Sequence, residues 1–267
     1  MPSILNFFSG KTRGNSVTGR IQQVKQPRGG YIKPSLLSTI QLGEGIEELN
    51  AEENVHPTLV GLAVDYLTRF TTGTEIGKSF AISLLGAKMV HKKKDATQLV
   101  KSIEGLDDTS IKNAIKLSGF DACYRAGVVA YDPAKVEPDE CTVENIRKMV
   151  KRAQTFLKQY GPKVLDGFTF EGGYTDIVSS GDGDFTTGDT IWDFKVSKAP
   201  PKKEHTLQLL MYWRMGVHSR KPEFDTIKYL GIYNPRLNRV YRIAVADIPQ
   251  SVIDEVDYTV IGYKGKT

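Results

Sequence analysis

Hydrophobic and polar positions divide the chain into a helical half and a strand-rich half. From Pro57, a residue suited to the first turn of a helix, Leu59, Ala63, Tyr66, Leu67 and Phe70 recur at helical spacing and predict a helix over 57–70. A second helix is expected over 75–90, ending in the charge run of His91 and Lys92 to Lys94, and a third after Asp108. Ile146, Met149, Val150, Ala153, Phe156 and Leu157 stripe a fourth over 142–160, which Gly161 and Pro162 stop. Beyond Pro162 the pattern is that of strands, expected at 168–177, 181–187, 190–197, 227–233 and 239–244. A helix over 204–217 follows the break at Pro200 and Pro201, and Asn234 and Pro235 turn the last two strands. Helices followed by strand, strand, strand, helix, strand, strand predict an α/β layer arrangement with a central mixed β-sheet flanked by helices. Residues 1–50 have weak periodicity and much Gly, Ser, Pro and Gln, so they read as an extended arm with a strand near Tyr31.

Composition changes this picture little, and charge distribution more. Hydrophobic residues at 40% and charged residues at 25% are ordinary globular values, which excludes a disordered chain. No apolar run approaches the roughly 18–20 residues needed to cross a bilayer, so no membrane is expected. The opening residues lack a signal peptide's apolar stretch. Cys123 and Cys141 cannot make a disulfide framework and no CxxC pair suggests zinc or iron–sulfur, which fits a reducing cytoplasm. The net charge of +5 is unevenly spread: the first 43 residues hold Lys11, Arg13, Arg20, Lys25, Arg28 and Lys33 without one Asp or Glu. Such a stretch suits a polyanion, and its plain alternative is a solvated arm. Arg147, Lys148, Lys151, Arg152 and Lys158 on the fourth helix read as a solvated face.

The chemistry concentrates in residues 181–195. Gly188 and Asp189 suit a two-residue hairpin loop, because glycine supplies the positive φ at its first position. That loop pairs Thr187 with Thr190, Phe185 with Trp192, Asp184 with Asp193 and Asp182 with Lys195. Alternation then puts Phe185, Trp192, Phe194 and Val196 on the core face, and Asp182, Asp184, Asp193 and Lys195 together on the other. Carboxylates opposed across a ladder repel, so this face needs compensating cations. Lys195 supplies one, and a divalent metal supplies the rest; oxygen ligands favour Mg²⁺ or Mn²⁺ over zinc. The bland reading is an exposed polar strand with a surface ion pair between Asp182 and Lys195.

At these residues the chain resembles the PD-(D/E)xK nuclease superfamily, in its RecB-like branch. The resemblance rests on Asp184, then Asp193, Phe194 and Lys195, then Gln208 and Tyr212 four residues apart on the next helix, with Gly61 and Asp65 on the first helix. Asp65 stands where that branch commonly has His. The resemblance implies a restriction-endonuclease-like core over 57–71 and 165–245, with about 75–162 a helical insertion in a nuclease domain of residues 51–267. It makes Asp184, Asp193, the Phe194 carbonyl and Asp65 the metal ligands. Lys195 would activate or orient the attacking water, and Gln208 and Tyr212 would orient substrate. Asp182 competes with Asp184 for the first-ligand position and is otherwise a substrate-side partner of Lys195. The function so implied is Mg²⁺-dependent hydrolysis of nucleic acid, DNA ahead of RNA. Its competitors are a catalytically inactive nucleic-acid-binding protein on the same fold, and a glycoside hydrolase using Asp184 and Asp193 as an acid–base pair.

Overall fold

A computed structural model describes residues 16–43 and 47–264. They divide into two compact units, one built from the described residues of 43–156 and the other from those of 16–42 and 157–264. In chain order, α1 (Val17–Gln23) and β1 (Ser38–Gln41) open the sheet-bearing unit. The helical unit follows with α2 (Pro57–Thr71), α3 (Ile76–Ser79), α4 (Ala81–Met89), α5 (Lys93–Lys101), α6 (Asp108–Ser118), α7 (Asp121–Arg125) and most of α8 (Glu140–Tyr160). The chain then forms β2 (Leu165–Thr169), β3 (Asp182–Thr186), β4 (Thr190–Phe194), α9 (Lys203–His218), β5 (Tyr229–Asn234), β6 (Arg239–Ala244) and α10 (Gln250–Glu255). No helix among the described residues is long and apolar enough to cross a membrane.

In the helical unit a buried carboxylate organises the packing. Asp121 is 1% exposed; the Tyr66 hydroxyl donates to it at 2.5 Å, the Ser83 hydroxyl donates to its other oxygen, and the Arg125 guanidinium lies 3.6 Å away. Burial pushes its pKa up, opposed by the hydrogen bonds from Ser83 and Tyr66. Because α2 bears Tyr66 and packs on α6, it belongs with these helices. The helix expected over 75–90 is broken at Phe80, whose φ of −104° and ψ of 23° leave the helical region. His91, at a left-handed φ of 59°, ends the next helix before the lysine run begins α5. The basic face of α8 is partly engaged: Arg147 pairs with Asp108 and Glu144, and Lys148 donates to the Glu48 carbonyl at 3.0 Å.

Among the described residues the sheet has six strands in the order β1-β6-β5-β4-β3-β2. Only β4 and β5 pair in parallel, and a parallel pair requires a crossover, which α9 supplies. Ile191 of β4 and Leu230 and Ile232 of β5 form one buried cluster with Leu207, Leu210 and Met211 of α9. On the opposite face Trp192 is fully buried, stacked on Phe185 and edge-on to Tyr160. Gly231 makes room for it, since a Cβ there would lie 2.4 Å from the indole.

Two expectations are corrected here. The segment read as an extended arm is integral to the sheet unit. Ser16 caps α1 by accepting the Gly19 N–H at 3.0 Å, Val17 and Ile21 are buried, and Arg20 donates to the carbonyls of Val260 and Thr259 at 2.8 and 2.7 Å. The strand expected near Tyr31 lies instead at β1, on the sheet edge against β6. Lys11 and Arg13 lie outside the described residues. The second correction concerns the faces of β4. Both are buried, because α9 covers the side that carries Asp193; the face read as the polar side of the strand is the floor of a helix–sheet layer.

Candidate functional site

The hairpin register positions the acidic residues. Strands β3 and β4 pair Phe185 with Trp192 and Thr186 with Ile191, and the Thr187 N–H donates to the Thr190 carbonyl at 2.9 Å. One step beyond these pairs the ladder passes to a side chain. There the Asp184 carboxylate accepts the Phe194 N–H at 2.6 Å, standing in for a backbone acceptor. This charge-assisted bond fixes the backbone of the Asp193, Phe194 and Lys195 stretch, while Lys195 N–H continues the parallel ladder by donating to the Tyr233 carbonyl at 3.0 Å.

Asp193 is 1% exposed. The Lys195 ammonium donates to its Oδ1 at 2.9 Å, and its Oδ2 is buried without a hydrogen-bond partner. Lys195 is partly exposed, at 29% of its side chain, so its charge faces both the buried carboxylate and solvent. Asp182 is exposed at the start of β3, paired in the ladder with Thr169. Asp65 lies half-buried on α2 in the other unit, where its charge adds a minor share to what keeps the Tyr66 phenol protonated.

Helix α9 closes the site from above. Gln208 and Tyr212 sit one turn apart, and the Gln208 amide donates to the Tyr212 hydroxyl at 2.7 Å. Burial drives the Tyr212 pKa well above its ordinary value, and the charges of Asp193 and then Asp184 push the same way. The phenol therefore stays protonated and, with its oxygen accepting from Gln208, keeps its own proton to donate. His205 precedes Gln208 by three residues on the same face. It is half-buried, and its Nδ1 accepts the Lys202 N–H at 3.2 Å. That bond leaves the proton on Nε2. Burial, then the Lys195 charge, lower its pKa against the opposing pull of Asp193. The spacing from His205 to Gln208 was the available clue.

The donor set is entirely oxygen, and an orphaned anionic oxygen in a buried position favours a cation. Among the described residues no three His, Cys, Asp or Glu side chains come together as a metal-holding group. Two carboxylates still suit Mg²⁺, which retains several waters and commonly binds through one or two carboxylates plus substrate phosphates. Asp184 and Asp193 therefore fit such an ion. No family model, curated protein or solved structure matches the chain.

Proposed function

We propose that this chain is a metal-dependent nuclease, of the PD-(D/E)xK kind, that hydrolyses phosphodiester bonds in nucleic acid. The observation that carries the reading is Asp193, with one oxygen held by Lys195 and the other buried without a hydrogen-bond partner. Leaving such an oxygen unsatisfied costs on the order of 1–3 kcal/mol or more, which favours a cation at that position. Asp184 and Asp193 would hold a divalent ion, with the Phe194 carbonyl as the further donor that the family resemblance implies. When bound, that ion supplies Lewis acidity toward the phosphate and lowers the pKa of water. Lys195 holds the Asp193 carboxylate in place and sets a positive charge where negative charge builds on the reacting phosphate. Tyr212, protonated and oriented by Gln208, donates to a substrate oxygen or to the attacking water.

One observation favours the second reading, a nucleic-acid-binding protein without catalysis: among the described residues the carboxylates come as a pair rather than as a larger ligand group. Purified protein incubated with Mg²⁺, Mn²⁺ or EDTA on linear, circular and single-stranded DNA and on RNA separates the two. Cleavage that requires metal supports the nuclease. Saturable binding of the same substrates without cleavage in either metal selects the second reading.

A further inference from the structure

We propose that the turn at 25–33 and the first turn of α9 form one phosphate track, which leads a nucleic-acid strand to Asp184, Asp193 and Lys195. The proposal rests on the nuclease reading and adds to it where the substrate backbone lies.

Two contacts fasten the turn to the helix. The Thr206 hydroxyl donates to the Ile32 carbonyl at 2.7 Å. Gly30 packs so closely on α9 that a Cβ there would sit 2.6 Å from the Lys203 Cβ, and its φ of +95° excludes most side chains in any case. The turn itself is closed by the Gly30 N–H donating to the Pro27 carbonyl at 2.9 Å, with the stem of Lys33 lying across Gly29. Lys25, Arg28 and Lys33 are thereby carried on a segment clamped to the turn that bears Lys202, Lys203 and His205, and His205 leads to Gln208 and the site. Lys25, Arg28, Lys33 and Lys202 are exposed and Lys203 is half-buried.

These cations lie in segments nearly free of acids. Among the described residues none of these five makes a salt bridge, whereas Arg20 is spent on two carbonyls and Arg147 on Asp108 and Glu144. Residues 16–43 contain no acid, and Glu204 is the only one in 194–222. Five unpaired cations beside one carboxylate repel each other and favour a polyanion. Arg and Lys presented from two clamped segments suit sequence-independent contact with phosphates.

The full chain carrying Arg28→Ala, Lys33→Ala and Lys202→Ala together tests this. A control carries Lys88→Ala, Lys93→Ala and Lys94→Ala, the same change of charge placed in the helical unit. Binding of single-stranded and duplex DNA is measured across salt concentrations, alongside kcat and KM with Mg²⁺ and the melting temperature. The track variant should lose about 2.7 from its log–log salt slope on duplex and about 2.1 on single strands. Its KM should rise about tenfold or more at 0.1 M salt, with kcat and melting temperature retained. An unchanged slope and KM while the parent chain still cleaves overturns the track and leaves the nuclease intact. Equal losses in the control overturn it too, since net charge alone would then be the cause. A parent chain that neither binds nor cleaves removes both proposals.

Discussion

Replacing Lys195 with Ala isolates the electrostatics of the site from its chemistry. Its ammonium lies 2.9 Å from Asp193 Oδ1, and Asp193 is 1% exposed with its second oxygen already unpartnered. Removing one partner of a fully buried pair costs about 3–5 kcal/mol, because the remaining charge is stranded. Lys195 keeps 29% of its side chain exposed, so water can enter the space it leaves and relieve part of that cost. The expected loss in EDTA is therefore about 2–3 kcal/mol, or roughly 5–10 °C in melting temperature for a chain of this size. Asp193→Asn removes the stranded charge, so the double variant should recover much of the loss. A bound divalent ion takes over the missing positive charge, so saturating Mn²⁺ should narrow the gap between variant and parent. Urea denaturation of parent, both single variants and the double variant, each with EDTA and with Mn²⁺, gives the complete cycle. A Lys195→Ala chain as stable as the parent in EDTA, with no coupling to Asp193→Asn, would refute the reasoning.

The other expectations concern the frame around the site. Gly231→Ala should cost about 2–3 kcal/mol, since the added Cβ would lie 2.4 Å from the buried Trp192 ring; a loss below about 1 kcal/mol by denaturation counts against that packing. Deleting residues 1–24 removes α1 with buried Val17 and Ile21 and the Arg20 contacts, so the chain should melt markedly earlier; an unchanged melt would show α1 to be dispensable. Burial lowers the pKa of His218, assisted by Arg214 and opposed by Asp257. The unfolded chain then takes up that proton first, and stability falls as pH drops below about 6.5 toward the lowered folded value. His218→Gln should flatten that fall between pH 7 and 5, and an NMR titration midpoint for His218 at or above the ordinary value would contradict it.

The parts of this fold legible in the sequence are those in which period and turn chemistry agree. The α8 stripe is long enough to define a helix by itself, and the alternation either side of Gly188 and Asp189 leads to the Phe185–Trp192 register found in β3 and β4, while Gly188 itself does not adopt the positive φ expected of it. The same alternation misassigned the environment of Asp193, because it treats each strand as having one buried face. Ile191 shares the Asp193 face, and its apolar side chain was the local sign that this face is covered. The cover itself comes from α9, which a parallel partner far along the chain requires and no local pattern encodes. β1 carried no signal, since all four of its residues are exposed and show no alternation of buried and exposed positions. The clasp between Gly30 and Lys203 is likewise invisible locally, because it joins segments more than 170 residues apart in the chain.

The most direct test of the central claim compares the parent chain with Asp193→Asn, purified identically, in single-turnover cleavage of end-labelled DNA. The account expects the parent to cut in Mg²⁺ or Mn²⁺, EDTA to stop it, and the variant to remain folded, bind DNA and cut at least about a hundredfold more slowly, as expected on losing an electrostatic group aimed at the reacting centre. Cleavage by the variant at the parent's rate, or by the parent in EDTA, would contradict it.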